Sequence, residues 1–484
     1  MQNIIKQPNF TGLTDHPQEE CGVVAIYAPH EDVARMAFFG LFALQHRGQE
    51  AAGIAVSDGR NISMVKDVGL ISNVFTPSRL EPLQGSFAIA HNRYSTTGSS
   101  TAQNAQPFLI ETRYGPIAVA HNGNLVNSAE LRQELLQNGV GLSSSSDTGV
   151  IAQMLAGAKG NTWFERLKNA MGRWIGAYSL VILTVGEVFV VRDPWGFRPL
   201  SVAMLPSGGH AAASESGALR TLGCEAIREV KPGEIIALGN SALRVEQALR
   251  PVEPSAFCTF EHIYFSRPDS VWDGRTVHQV RQNLGAAIAK EAPVSADVVI
   301  PVPDSSIPAA IGYARASGIP YNDGFIKNRY IGRTFIEPTD SLRKQGIALK
   351  FNVILENVRD KRVIMVDDSL VRGNTTAALV HLLREAGAKE IHVRITCPPI
   401  KHPCFMGVDM GTYEELIAHN KSVAEICLLI GADSLAYLSF DGMMQSIGKQ
   451  TGYCNACFTG KYPIEIKAEG TMPRFEHTMM VFSY

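Results

Sequence analysis

Residues 363–376 read VIMVDDSLVRGNTT, and this run constrains the fold more than any other stretch of the chain. An apolar segment ends in adjacent carboxylates, Asp367 and Asp368. Small and flexible residues follow, Ser369, Gly373, Asn374, Thr375 and Thr376, with Arg372 among them, and a helical pattern begins at Ala377. A strand buried on both faces, as in a parallel sheet, reads as such an apolar run. A loop of small residues opening a helix offers free backbone N–H groups and a positive dipole end, which suits a phosphate. Paired acids suit vicinal hydroxyls and a Mg²⁺ shared with a substrate phosphate. One strand–loop–helix unit thus holds parts for a sugar, its phosphate and a metal.

At 484 residues the chain has room for about two to four domains. It is 45% hydrophobic and 19% charged, as expected of a globular protein. A net charge of −2 gives no reason to expect nucleic acid or an anionic membrane as partner. No apolar run is long enough to span a bilayer. Residues 1–20 lack the apolar core of a secretory signal. They carry Asp15, Glu19 and Glu20 beside Lys6, which suits a mitochondrial transit peptide poorly. The expected location is therefore cytoplasmic, where the 8 cysteines point to metal or catalysis more readily than to disulfides.

From Cys21 to about Pro251, short apolar runs are bounded by Gly, Asn and Asp, at 22–27, 53–57, 87–90, 117–120, 178–184 and 187–192. Strands at such spacing predict packed antiparallel sheets. Helical periodicity covers 33–44, and Asn127, Ser128, Ala129 and Glu130 read as a capping box before 131–136. The expected architecture is an αββα sandwich. After about Phe260 the pattern alternates. Helices at 277–292, 306–316 and 377–386 interleave with strands at 297–301, 363–367 and 391–396. That predicts a parallel sheet with helices on both faces, whose ligands sit at the carboxyl ends of strands. Asp367 and Asp368 fall there. Residues 322–350 lack periodicity and carry Lys327, Arg329, Arg333, Arg343 and Lys344. A long polar loop of this kind is usually functional or disordered. The expected division is 1–20, 21–255 and 256–484.

Cys21 opens the first strand. Gln45-His46-Arg47-Gly48-Gln49-Glu50 follows the first helix, and His91-Asn92-Arg93-Tyr94-Ser95-Thr96 and His121-Asn122-Gly123-Asn124 follow strands. Ser146-Asp147-Thr148 opens a helix. Together these resemble the class II glutamine amidotransferases, which are N-terminal nucleophile hydrolases. The resemblance implies that Cys21 attacks the glutamine amide and that its own α-amine, with a pKa near ~8, is the base. It implies Asn122 and Gly123 as the oxyanion hole. Arg93 would pair with the substrate carboxylate and Asp147 with its amine. Because Cys21 follows Glu20 in the chain, the amine becomes free only if a propeptide of residues 1–20 is removed.

Val299-Ile300-Pro301-Val302-Pro303-Asp304-Ser305-Ser306 is a second strand–loop–helix unit. With residues 363–376 it resembles the type I phosphoribosyltransferases, which bind phosphoribosyl diphosphate (PRPP). The resemblance implies that Ser305, Asp367 and Asp368 meet Mg²⁺ and that Ser369, Arg372, Gly373, Asn374, Thr375 and Thr376 hold PRPP. Arg329, Arg333 and Lys344 would then lie in a loop closing over PRPP.

Both halves in this order resemble the amidophosphoribosyltransferase family, or glutamine PRPP amidotransferases. The implied reaction takes PRPP, glutamine and water to 5-phosphoribosylamine, glutamate and diphosphate, the first committed step of purine synthesis. Purine nucleotides as feedback inhibitors and a homotetramer are expectations of the same resemblance. The rival functions are another class II amidotransferase and a non-catalytic sensor of PRPP or nucleotides.

Cys454-Asn455-Ala456-Cys457 is a C-x-x-C pair, while Cys258 and Cys404 stand alone. Some members of this family bind a [4Fe–4S] cluster, and the resemblance assigns these thiols to it. Spacing alone serves a structural Zn²⁺ equally well. Cys397 rivals Cys404 for one position. Cys224 and Cys427 read as core residues.

Overall fold

A computed structural model describes residues 21–94, 102–239, 243–328, 351–410 and 412–466. The first half holds two antiparallel sheets. At the centre of a seven-stranded sheet, Gly22–Tyr27 lies between His210–Ala213 and Phe87–Arg93. At the centre of a six-stranded sheet, Gly176–Leu183 lies between Val188–Arg192 and Gly115–Leu125.

Side-chain alternation explains the stacking. Val23, Ala25, Ile89, Val181, Val190 and Ile236 form one core between the sheets. The intervening Val24 and Ile26 face Val33, Ala37 and Leu41 of the helix Val33–Phe42. Leu180 and Ile182 face Ile151, Leu155 and Leu167 on the far side. The inner strands are buried on both faces, so they read as unbroken apolar runs. The result is the αββα sandwich.

The second half holds a parallel sheet in the order Val298–Pro301, Arg362–Asp367, Glu390–Ile395, Ser434–Tyr437. The molecule is thus a two-domain α/β protein. Within the stretch expected to lack structure, Phe325–Lys327 pairs antiparallel with Phe351–Val353. Among the described residues no helix is long and apolar enough to cross a membrane.

Some expectations need correction. The helix Ser128–Gln137 has no capping box, because Asn127 caps nothing. Its side chain instead accepts from Ile175 N at 3.0 Å and donates to Arg173 O at 2.9 Å, tying the helix start to a neighbouring turn. A true capping box occurs at Ser422 and Glu425, which the sequence reading passed over. The helix expected from Ala377 begins at Asn374. Cys224 is buried, but Cys427 is only half-buried.

The helices Val277–Glu291 and Ile307–Ser317 cross through two glycines. A Cβ on Gly285 would land on the backbone of Ala309, and one on Gly312 on the backbone of Gln282. Alanine is the better helix residue by about 1 kcal/mol. The sign of the change therefore reports which effect wins. Gly285→Ala should destabilise the protein by about 1–3 kcal/mol through overpacking. Gly141→Ala, where an added Cβ meets nothing within 4 Å, should be near neutral. Urea denaturation followed by circular dichroism checks both; a stabilised Gly285→Ala would show that the helices can part freely.

Candidate active sites

Cys21 sits half-buried at the head of Gly22–Tyr27. Its thiol donates to Tyr94 O at 3.4 Å, and Arg47 Nε donates to its carbonyl at 3.2 Å. The Asn92 amide, which donates to Leu44 O at 2.7 Å and Gly48 O at 3.1 Å, closes the turn against the strand. A side chain at Gly22 would strike Asn92, so only glycine passes there. Burial pushes the Cys21 thiol up to about 11, against the pull of the Tyr94 bond and Arg93, with Glu50 and Asp147 adding to the rise. A thiol of that kind needs a base to become a nucleophile.

Arg93 and Asp147 both lie within electrostatic reach of the thiol. Arg93 ends the strand Phe87–Arg93 and is buried. Asp147 opens the helix Asp147–Gly157, capped by Ser146. Its Oδ2 accepts from Leu125 N at 3.1 Å and lies 3.5 Å from His121 Nδ1. Burial opposes its charge, but His121 and the Leu125 and Thr148 N–H groups outweigh burial and hold the carboxyl below its usual range.

Asn122 and Gly123 occupy the strand Gly115–Leu125 opposite Ser179 and Tyr178. Asn122 Nδ2 is a buried donor with no hydrogen-bond partner among the described residues. Gly123 has φ +143° and packs against the backbone of Ala177, which excludes any side chain. His91, His121, Glu50 and Arg47, whose motifs carry no signal of an individual role, also lie here. Burial pushes His91 down to about 3, so it is neutral at pH 7.

The second half touches this strand directly. Asn124 Nδ2 donates to Phe405 O at 2.9 Å, and a Cβ on Gly407 would lie 3.0 Å from the Gly123 carbonyl carbon. Arg198 Nε donates to Met406 O at 3.0 Å.

At the carboxyl end of Arg362–Asp367, Asp367 and Asp368 are both buried. Ser305 Oγ donates to Asp368 Oδ2 at 2.5 Å, and Ser306 Oγ donates to Asp367 Oδ1 at 2.9 Å. Ser306, at the end of the 299–306 segment, thus joins Ser305 at the acid pair. Ser369 Oγ donates to the other Asp368 oxygen at 2.7 Å. Gly373 takes the left-handed conformation, φ +85°, and lets the helix Asn374–Glu385 start beside the acids, with Thr375 and Thr376 in its first turn. Arg372 pairs with Glu415 at 3.1 Å. Lys327 pairs with Asp304 at 3.0 Å. Arg329, Arg333 and Lys344 lie outside the described residues, as do Ser95 and Thr96.

Cys258, Cys404, Cys454 and Cys457 line one apolar cavity with Phe197 and Phe260. Cys258 and Cys454 are register partners in a parallel bridge. Met406 N donates to Cys404 Sγ at 3.4 Å. None of these cysteines is in a disulfide. The buried guanidinium of Arg198 lies close enough to favour the thiolates of Cys258 and Cys454, though burial dominates and pushes both thiols up to about 12. Cys397 is off this lining; its thiol donates to Pro398 O and lies within electrostatic reach of Asp368 and Asp367. Among the described residues no group of three or more His, Cys, Asp or Glu side chains is arranged to hold a single metal ion.

Residues 91–221 match the family described as "Glutamine amidotransferase domain", and residues 275–410 match "Phosphoribosyl transferase domain". An amidophosphoribosyltransferase of Synechococcus elongatus is 50% identical over 94% of this chain and 93% of its own length. That of Bacillus subtilis is 46% identical over 96% of this chain and 98% of its own. A solved structure of the B. subtilis glutamine PRPP amidotransferase, complexed with ADP and GMP, superposes with a TM-score of 0.88 at 46% identity, covering 94% of this chain and 99% of that one. With a glutamine amidotransferase domain followed by a phosphoribosyltransferase domain, and with full-length relatives at this identity, the chain belongs to the amidophosphoribosyltransferase family, the enzymes of the first step of purine biosynthesis.

Proposed function

We propose that the family's reaction runs here on the residues named above, with glutamine hydrolysis at Cys21 and ammonia addition to PRPP at Asp367 and Asp368. The observation that carries the reading is the buried Asn122 Nδ2, a donor without a partner, on the strand of the facing sheet whose Leu125 N–H binds Asp147. An unpaired buried donor costs about 1–3 kcal/mol, which an arriving oxyanion would relieve.

Cleavage of the Glu20–Cys21 bond frees the α-amine. That amine takes the thiol proton, and Cys21 Sγ attacks the glutamine side-chain carbon. Asn122 Nδ2 and the Gly123 N–H hold the oxyanion. The proton passes to the leaving ammonia, and water then releases glutamate from the thioester. Arg93 forks onto the α-carboxylate of glutamine, and Asp147 holds its ammonium. Ammonia then attacks C1 of PRPP as diphosphate departs. Asp367 and Asp368 hold the ribose hydroxyls. Ser369, Arg372, Gly373, Asn374, Thr375 and Thr376 cradle the 5-phosphate at the helix start, and Ser305 faces the diphosphate. Residues 21–255 and 256–484 serve as the two working units.

Buried carboxylates with adjacent hydroxyls at Ser305, Asp367 and Asp368 form a hard oxygen set that suits Mg²⁺. Held there with PRPP, such an ion would offset negative charge on the diphosphate. Four thiols around an apolar cavity beside a buried arginine suit a [4Fe–4S] cluster held by Cys258, Cys404, Cys454 and Cys457. Such a cluster would brace the C-terminal segment. The ADP and GMP bound to the B. subtilis enzyme support purine nucleotides as ligands of this one.

Cys21→Ala should abolish glutamine use and spare ammonia-dependent phosphoribosylamine synthesis. Asn122→Ala should lower the glutamine kcat by about 10²–10³-fold with the same ammonia activity. Coupled assays with either nitrogen donor check both, and parallel loss of the two activities would refute the assignment.

Asp367→Asn should weaken PRPP use by ~1.5–3 kcal/mol, the value of a charge-assisted hydrogen bond. An unchanged PRPP KM and kcat would remove Asp367 from the site.

Protein purified without oxygen should be brown and carry about four irons per chain. Cys404→Ser should lose the iron and Cys397→Ser retain it. Colourless protein with one zinc would keep the ligands and replace the cluster.

A further inference from the structure

A buried charge cluster beneath the nucleophile takes no part in the steps above. Arg47 is 1% exposed. Its Nη1 donates to Glu215 Oε1 at 2.7 Å and to Glu261 Oε2 at 3.0 Å, and its Nη2 donates to Glu261 Oε1 at 2.7 Å. Both carboxylates are fully buried. The remaining arm, Nε, donates to the carbonyl of Cys21 at 3.2 Å.

The two acids come from different halves. Glu215 precedes the short helix Ser216–Thr221 of the sandwich. Glu261 opens the π-helix Glu261–Phe265, beyond the last sandwich strand. That helix is itself pinned. Arg281 donates to His262 O at 2.9 Å and to Tyr264 O and Ser266 O at 2.8 Å each, and the Ser266 hydroxyl donates to Glu261. A forked guanidinium–carboxylate pair fixes direction as well as distance.

Once its amine is free, Cys21 has no preceding peptide to set its backbone. The placement of its Cα, and with it of thiol and amine relative to the oxyanion donors, then depends on what grips its carbonyl. In this structure Arg47 grips it, and Glu261 aims Arg47. We propose that Glu261 is a positioning residue for glutamine hydrolysis, supplied by the second half of the chain: it locks the Arg47 guanidinium that holds the Cys21 carbonyl. This rests on the reading of Cys21 as the nucleophile. It makes the geometry of the first reaction conditional on the docking of the half that performs the second.

The test uses the full chain with Glu261→Asp, Glu261→Gln and Glu261→Ala. The glutamine-dependent kcat should fall by about ten-fold or more in Glu261→Ala, as expected of a misplaced nucleophile. Glu261→Gln, which keeps an acceptor, should fall less, and Glu261→Asp should recover part of the loss. The glutamine KM should stay within about two-fold, because Arg93 and Asp147 are untouched. Ammonia-dependent kcat and PRPP KM should be unchanged. The rate of iodoacetamide alkylation at Cys21, followed by peptide mass, should fall in step with the glutamine kcat. If Glu261→Ala does not fold, Glu261→Gln and the alkylation rate decide. Unchanged glutamine kcat and alkylation in Glu261→Gln and Glu261→Ala overturn the proposal, as does equal loss of both nitrogen donors in the folded variants. Cys21→Ala keeps the two readings apart: retained glutamine use there would sink the nucleophile assignment, whereas its loss beside a normal Glu261→Ala would sink the positioning role alone.

Discussion

The backbone of Gly407 lies against the backbone of Gly123, and the coupling of the two halves follows from that contact. No side chain fits between them. Asn124 binds Phe405 O beside it, and Arg198 binds Met406 O behind it. The loop that carries Cys404 into the cysteine-lined cavity is therefore the loop that rests on the strand of Asn122 and Gly123. A group bound by those thiols would also hold the loop in place, because ligand binding at such a site stabilises the local fold. The seam is a joint between the two kinds of chemistry as well as a packing surface.

Burial sets the electrostatics on both sides of the seam. On the sandwich side it raises the Cys21 thiol and lowers His91, leaving both neutral near pH 7. Arg47 there forms ion pairs with both Glu215 and Glu261, each at 2.7 Å. Removing one member would leave a buried charge uncompensated, the costly way to break such a set. On the parallel-sheet side, Asp367 and Asp368 are adjacent and buried, and three serine hydroxyls converge on them. A buried, hydrogen-bonded pair of carboxylates thus stands at the carboxyl end of a strand inside the parallel sheet, the end at which open parallel sheets present their ligands.

Residues 363–376 were legible because their chemistry is local. An apolar strand, two acids and a glycine-opened helix are contiguous, so a short window contains the whole unit. The αββα layering was legible for a similar reason. Strands buried on both faces are apolar throughout, and hairpins such as Gly176–Leu183 with Val188–Arg192 show an antiparallel pair within one window. Local patterns failed where a side chain had a distant partner to choose. Asn127 carried the pattern of a cap but bonds across to Ile175 and Arg173. Ser306 and Ser305 are neighbours of similar chemistry, and only the fold brings both to the acid pair.

Sequence by itself determined the two architectures, their order, the acid pair, the thiol at the head of the first strand and the set of cysteines available for a metal. All but the cysteine set depend on residue type and spacing within one or two elements; that set, drawn from three distant segments, followed from the family resemblance. Tertiary structure alone decided which cysteine of the Cys397 and Cys404 pair lines the shared cavity. It also seated Gly407 on Gly123 and brought Glu261 to Arg47, 214 residues away. Those outcomes depend on how the two halves of the chain pack against each other. Docking is set by shape and buried charge summed over many residues, which no single window of sequence contains.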